Sequence, residues 1–183
     1  MKQIILACDD SGKFSGEYIP KEVGHTGSGK RHLAITVLLY NNKGQVLLQK
    51  RKHKIFDNIW DITGATHPLH KDAGDESLEE ATRRCLKTEW EIREIREVRV
   101  IGSFNYFAPY HTVQGDYCEN EHCSILIGEY NGPLALNDQV GYEYKWMDKE
   151  EFLKDIEKNP QNYTPWAKES IKILKKSGFF DNE

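Results

Sequence analysis

The apolar positions fall into short runs of two periods. His32–Tyr40 reads HLAITVLLY, an almost continuous apolar run rich in Ile, Val and Leu, and predicts a buried strand. Asn41–Gly44 supplies turn residues, and Gln45–Lys50 (QVLLQK) is the partner of a hairpin. Gln3–Ala7 predicts a short strand before a turn at Asp9–Gly12, and residues 12–31, rich in Gly, Lys and Ser, read as an extended arm. Past the basic run at residues 50–54, an apolar segment ending in Trp60 leads into a loop at Gly64–Pro68.

The period then changes. Leu78, Ala81, Cys85 and Leu86 form one stripe of a helix that Asp75 or Ser77 would cap, with glutamates on its first turns. Arg96–Tyr106 and Tyr117–Glu129 predict strands on either side of a loop at Ala108–Gly115. Beyond a turn region at Asn131–Asp138, Tyr142–Trp146 is a short aromatic strand. Lys149–Ile156 begins a helix, Pro160–Pro165 interrupts it, and Trp166–Lys176 is the last helix; the Phe179–Phe180 pair either packs back or frays. Strands interrupted by one early helix and closed by others predict an α+β mixed sheet with helices packed against it. One domain over residues 1–183 is expected, with residues 1–31 as an N-terminal arm and short strand.

Composition narrows the function classes. The 183 residues carry 38% hydrophobic and 30% charged side chains and a net charge of −4, which gives no global electrostatic case for nucleic acid or an anionic membrane. No run approaches the ~20 apolar residues of a membrane helix, and the first residues lack the pattern of an export signal, so a cytoplasmic protein is expected. The four cysteines have no framework spacing, and Cys85 and Cys123 read as buried thiols. Oligomeric state, monomer or homodimer, is left open.

Three groups of residues could carry chemistry. His25, His32 and His67, with Glu119 and Glu121 two apart on a strand and so on one face, offer imidazole and carboxylate ligands suited to Mn²⁺, Zn²⁺ or Fe²⁺. Glu76, Glu80 and Glu89 on the helix could hold Mg²⁺ between protein and a diphosphate. Arg51, with Lys21, Lys54 and Arg84, could grip phosphate oxygens, and Tyr106 and Trp166 could form a pocket wall. Taken singly, each of these charges also fits a solvated surface pair and each aromatic a core position.

The order of the motifs HTGSGKRHLA, LLYNNKGQVLLQKR, ATHPL, EATRRC, FNY, ENEHC and TPW resembles the type I isopentenyl-diphosphate Δ-isomerases, a branch of the Nudix superfamily. The resemblance spans Lys21 to about Trp166 and implies a Nudix-type α/β/α sandwich. It implies a metal site at His25, His32, His67, Glu119 and Glu121, and diphosphate contacts at Lys21, Arg51 and one arginine of the 83/84 pair. Tyr106 and Trp166 would flank a prenyl chain, Glu121 would handle a proton, and Mg²⁺ would bridge a helix glutamate and the diphosphate. Two departures stand out. The family's catalytic cysteine falls on Ala65, which has no proton to exchange. The Nudix helix motif G-x5-E-x7-R-E-x2-E-E-x-G is thinned: one register keeps Glu76, Arg84 and Glu89, the other starts at Asp75 and reaches Thr88.

Three functions follow as expectations. The first is metal-dependent hydrolysis of a diphosphate linkage in a small compound, with Glu89 and Glu121 in catalytic roles and Tyr106 beside them. The second is isomerisation of isopentenyl to dimethylallyl diphosphate, and the third is non-catalytic binding of metal and diphosphate.

Overall fold

In the computed structural model, which describes residues 2–181, the chain runs β1 (Ile4–Cys8), β2 (Phe14–Pro20), α1 (Lys21–His25), β3 (His32–Tyr40), β4 (Gln45–Arg51), β5 (Trp60–Ile62) and β6 (Gly64–Thr66). A two-stranded ribbon, β7 (His70–Lys71) and β8 (Gly74–Asp75), precedes α2 (Leu78–Trp90). β9 (Arg99–Thr112), β10 (Gly115–Glu129), β11 (Gly141–Asp148), α3 (Lys149–Lys158) and α4 (Pro165–Lys176) complete the chain.

β3 is the centre of a mixed sheet. It pairs in parallel with β10 from Glu121↔His32 to Glu129↔Tyr40 and antiparallel with β6, while β4 joins β3 to β5 and β11. A parallel neighbour is normally covered on both faces, which explains why β3 shows no polar alternation. Ile35, Val37 and Leu39 pack on one side with Ala81, Leu86 and Trp90 of α2. Leu38, with Val46, Leu48, Ile125 and Ile127, packs on the other side with Phe152 and Ile156 of α3 and Ala167, Ile171 and Leu174 of α4. The result is the α/β/α sandwich.

Local chemistry sets the element ends. In the β3–β4 turn, Asn41 Oδ1 accepts from the Lys43 and Gln45 amides, and Gly44 takes φ 74°. Ser77 caps α2 in a reciprocal capping box with Glu80, so Asp75 is not the cap. Leu78 packs on the α2 core beside the predicted stripe of Ala81, Cys85 and Leu86. Phe179 packs back into the core.

Several segments differ from the sequence expectation. Residues 12–31 are not simply extended: they form β2, paired along β1, and the single-turn α1, too short and glycine-containing to show a helical period. The Gly64–Pro68 loop begins as β6, whose three residues are fixed by pairing with β3 and not by any pattern of their own. The expected loop at Ala108–Gly115 is mostly strand: β9 and β10 continue as a ladder to Thr112↔Gly115. Pro109 misleads here because β9 is an edge strand whose other side needs no N–H donor.

Candidate metal and diphosphate site

Strand register brings the candidate ligands together. In β10, Glu119, Glu121 and Cys123 share one face, and Glu121 lies opposite His32 on β3 and opposite Tyr106 on β9. α1 adds His25, and the chain leaving β6 adds His67. Each of His25, His32, His67, Glu119 and Glu121 offers one ligand atom, and these atoms all lie within 4.8 Å of one another. His67 Nε2 is 2.8 Å, His32 Nε2 3.5 Å and His25 Nε2 3.9 Å from Glu121 Oε1, and His25 Nε2 is 3.0 Å from Glu119 Oε2.

Two of the imidazoles have a fixed orientation. His25 Nδ1 donates to the Lys21 carbonyl at 2.8 Å and His32 Nδ1 to the Lys30 carbonyl at 2.7 Å. A carbonyl only accepts, so in the neutral rings the proton sits on Nδ1 and the Nε2 lone pair faces the cluster. His25 Nε2, His32 Nε2 and Glu119 Oε2 are buried without a hydrogen-bond partner. Buried polar atoms are rarely left so, and lone pairs converging on one point fit a cation between them. These five residues could hold a divalent metal, and the three imidazoles favour a transition ion over Mg²⁺ or Ca²⁺.

The electrostatics differ from ligand to ligand: burial lowers the His25 pKa, but its contacts with Glu119 and Glu121 outweigh this and raise it. Burial and the neighbouring charge of Glu121 push Glu119 up to about 7. Glu121 is also raised by burial, but contacts with His32 and His67 outweigh this and hold it well below the usual range. Burial keeps His67 neutral, the form a metal needs. Tyr106 Oη donates to Glu121 Oε2 at 2.5 Å, so Glu121 presents one oxygen to the cluster and the other to a phenol.

A cavity of about 260 Å³ opens beside the cluster. Lys21, Arg51 and Arg84 bring positive charge to its wall, and Ala65, Cys123, Tyr106 and Trp166 give an apolar side. Arg51 stacks on Trp166, with its guanidinium carbon 4.7 Å from the ring centre. Burial lowers the Lys21 pKa against the opposing pull of Glu119 and Glu121. Cys85 and Cys123 lie on this cavity as buried free thiols, both pushed well up by burial. Among the expected phosphate contacts, Lys54 is set apart: its amine is 2.5 Å from Tyr117 Oη, in a separate depression at the mouth.

The carboxylates expected on the helix are divided: Glu80 and Glu89 lie on α2, whereas Glu76 precedes its Ser77 cap and is not helical. Glu89 reaches the cavity, where burial pushes it up to about 6 although Gln49 Nε2 donates to it at 3.1 Å. Gly64 makes room for this approach, since a Cβ there would come 2.9 Å from Cys85 Sγ and 3.3 Å from Glu89 Oε2. Glu76 faces elsewhere, bonded to Arg84, Lys71 and the Leu69 amide, and Glu80 is spent on the helix cap. Of the two helix registers, the one through Arg84 and Glu89 fits better: it puts the motif's glycine at Glu91, which caps α2 with φ 56° in the left-handed region. Arg83 turns away to Glu79 and the Ile95 carbonyl.

Sequence reasoning passed over two residues. Gln49 holds Glu89, and the fully buried Asp61 accepts from Arg51, Thr164 and Trp166. Burial raises the Asp61 pKa, opposed first by the Arg51 charge. The signal was present: both are polar residues inside otherwise apolar strands, where burial without partners is costly.

Comparison with known proteins bears on the family and the fold. The chain is 27% identical over 150 residues to the isopentenyl-diphosphate Delta-isomerase of Shigella dysenteriae serotype 1 (strain Sd197), covering 81% of this chain and 79% of the relative. In fold it is similar to DR0079 from Deinococcus radiodurans, with a TM-score of 0.62 at 17% identity over 86% of this chain and 90% of that one. The MutT protein from Methanosarcina mazei Go1 follows, with a TM-score of 0.55 at 16% identity over 84% and 96%. No helix among the described residues is long and apolar enough to cross a membrane. Residues 30–167 match the family model of the NUDIX domain, and the chain belongs to the Nudix family.

Proposed function

We propose that this chain is a metal-dependent enzyme acting on a small diphosphate compound, and that it cleaves the diphosphate linkage. The observation that carries this reading is the adjacency of the five-residue His/Glu cluster to a small cavity bearing Lys21, Arg51 and Arg84. His25, His32, His67, Glu119 and Glu121 would hold a transition ion, and Glu89 would face Mg²⁺ brought with the diphosphate. Bound divalent cations supply Lewis acidity toward phosphate oxygens and water.

The chain's own groups divide the remaining work. Arg51 offers a planar donor fork to the phosphates, and Lys21 and Arg84 add charge. Glu89, beside that Mg²⁺ ion, would take a proton from an attacking water. Tyr106 and Trp166 enclose the organic part, so a short apolar group such as a prenyl chain fits the wall. Hydrolysis is favoured over isomerisation because Ala65 puts no thiol at the position where the isomerase resemblance places its second proton-transfer group, and the Cys85 and Cys123 thiols lie elsewhere on the cavity.

A second reading, isomerisation of isopentenyl diphosphate, is supported by the Tyr106–Glu121 pair at 2.5 Å and by the isomerase relatives. One set of assays separates the two. With Mg²⁺ and Mn²⁺ present, a panel of prenyl and nucleoside diphosphates should release phosphate or a monophosphate product by ³¹P NMR, and Glu89→Gln should slow release by about 100-fold. Dimethylallyl diphosphate formed from isopentenyl diphosphate, without phosphate release, would move the assignment to isomerase. Tight binding with no turnover of any compound would leave only a binding role.

A further inference from the structure

We infer that Asp61 is a positioning residue that clamps Arg51 against Trp166 and so presets the guanidinium for a diphosphate; the inference rests on the diphosphate reading above.

The geometry is specific. Asp61 Oδ2 accepts from Arg51 Nη1 at 3.3 Å and from Trp166 Nε1 at 2.9 Å, so one oxygen holds the cation and the aromatic wall together. Oδ1 accepts from the Thr164 hydroxyl at 2.9 Å and the Ile62 amide at 2.8 Å, which pins the carboxylate to the cap of α4 and to β5. Asp61 is fully buried, and every group on it is a donor. A buried carboxylate surrounded only by donors, one of them a guanidinium, is matched as the anion.

The consequence lies on Arg51. Its Nη1 is held by Asp61 at 3.3 Å and its guanidinium carbon sits over the Trp166 ring, so the cation is fixed where the side chain lines the cavity. Arginine loses much side-chain freedom when it binds phosphate, and the clamp imposes that loss during folding, before any ligand arrives. Asp61 touches none of the expected substrate groups itself; it acts through Arg51. Because Thr164 caps α4 and Trp166 lies in its first turn, the clamp also ties the C-terminal helix to the anion site.

The test is a double-mutant cycle read by calorimetric titration of inorganic pyrophosphate into the Mg²⁺-loaded protein. Asp61→Asn, nearly isosteric, should weaken pyrophosphate at least about tenfold, because truncating one partner of a buried charge pair carries a large penalty. In an Arg51→Ala background the same change should have less than about a twofold effect. Equal affinity in Asp61→Asn and parent, or losses that add independently in the double variant, would overturn the clamp. Failure of the parent to bind pyrophosphate would instead sink the diphosphate reading, and this inference with it. Should Asp61→Asn not fold, ¹⁵N NMR of the ligand-free parent decides: separate, slowly exchanging Arg51 Nη signals support the clamp, and rotationally averaged ones overturn it.

Discussion

Arg84 grips Glu76 with two nitrogens, Nε 2.9 Å from Oε1 and Nη2 2.8 Å from Oε2. Lys71 binds the same carboxylate, as does the Leu69 amide at 3.1 Å. The glutamate that opens the thinned Nudix motif is thus a strut fixing the ribbon β7–β8 and the His67 segment to α2. Arg84 Nη2 continues the brace by donating to the His67 carbonyl at 2.7 Å.

This strut makes stability depend on acid. Burial alone would raise the Glu76 pKa, but its bonds to Arg84 and Lys71 prevail and hold it at about 2, against 4.5 when free. A depressed carboxylate contributes stability above its unfolded pKa and loses it as pH falls toward the folded one. The contribution, roughly 3 kcal/mol, is complete at neutral pH and disappears between about 4.5 and 2. Urea titrations of the parent and Glu76→Gln should therefore differ by roughly that amount at pH 7 and converge as pH drops through this window. A gap that is constant with pH would contradict the assignment.

Metal binding gives a second expectation. Ligands prearranged in the folded state and scattered in the unfolded one convert affinity into stability, about 2.7 kcal/mol at a free metal concentration 100 times Kd. Adding Mn²⁺ or Zn²⁺ should raise the melting temperature by several degrees, and EDTA should reverse the rise. His67→Ala should abolish the shift and lower the metal retained on the purified protein, measured by mass spectrometry. Retention equal to the parent would remove His67 from the ligand set.

At the end of α2 the chain carries a strain that can be relieved. Glu91 is the helix cap at φ 56°, a conformation that costs a non-glycine residue about 1–2 kcal/mol. Glu91→Gly should thus stabilise the protein by about 0.5–1 kcal/mol and raise the melting temperature by a degree or more. A fall in melting temperature would mean that the side chain of Glu91 contributes more than its backbone costs.

The strands β3, β4, β10 and β11 and the helices α2–α4 were legible because their burial is periodic or continuous over many residues. The five-residue His/Glu cluster was legible from residue type and from the motifs, and register explains why: His32, Glu121 and Tyr106 lie in line across three strands. What escaped was set by tertiary contact. α1, β6 and the β7–β8 ribbon are too short to carry a period. Glu76 and Glu89 look alike in sequence, but one is neutralised by Arg84 and the other is buried at the cavity. Gln49 gains its role from Glu89, 40 residues along the chain, and Asp61 from Arg51, ten residues back, together with Thr164 and Trp166, more than 100 residues on.

Ala65 offers the sharpest test of the reaction. It stands on β6, paired with Thr36, and packs beside Tyr106, Cys123 and Trp166 on the cavity wall. Moving a double bond requires one proton delivered to carbon and another removed, and Glu121 with Tyr106 provides only one side of that exchange. The protonated thiols of Cys85 and Cys123 lie on the cavity but not at this position, so the parent should make no dimethylallyl diphosphate from isopentenyl diphosphate. Ala65→Cys should introduce isomerisation at least about 100-fold above the parent, the usual lower bound for a positioned acid or base. Deuterium uptake from D₂O into the product methyl group, followed by ¹H NMR, measures it directly. A parent already as active as Ala65→Cys would show that another group serves as the second acid, and would displace hydrolysis as the proposed chemistry.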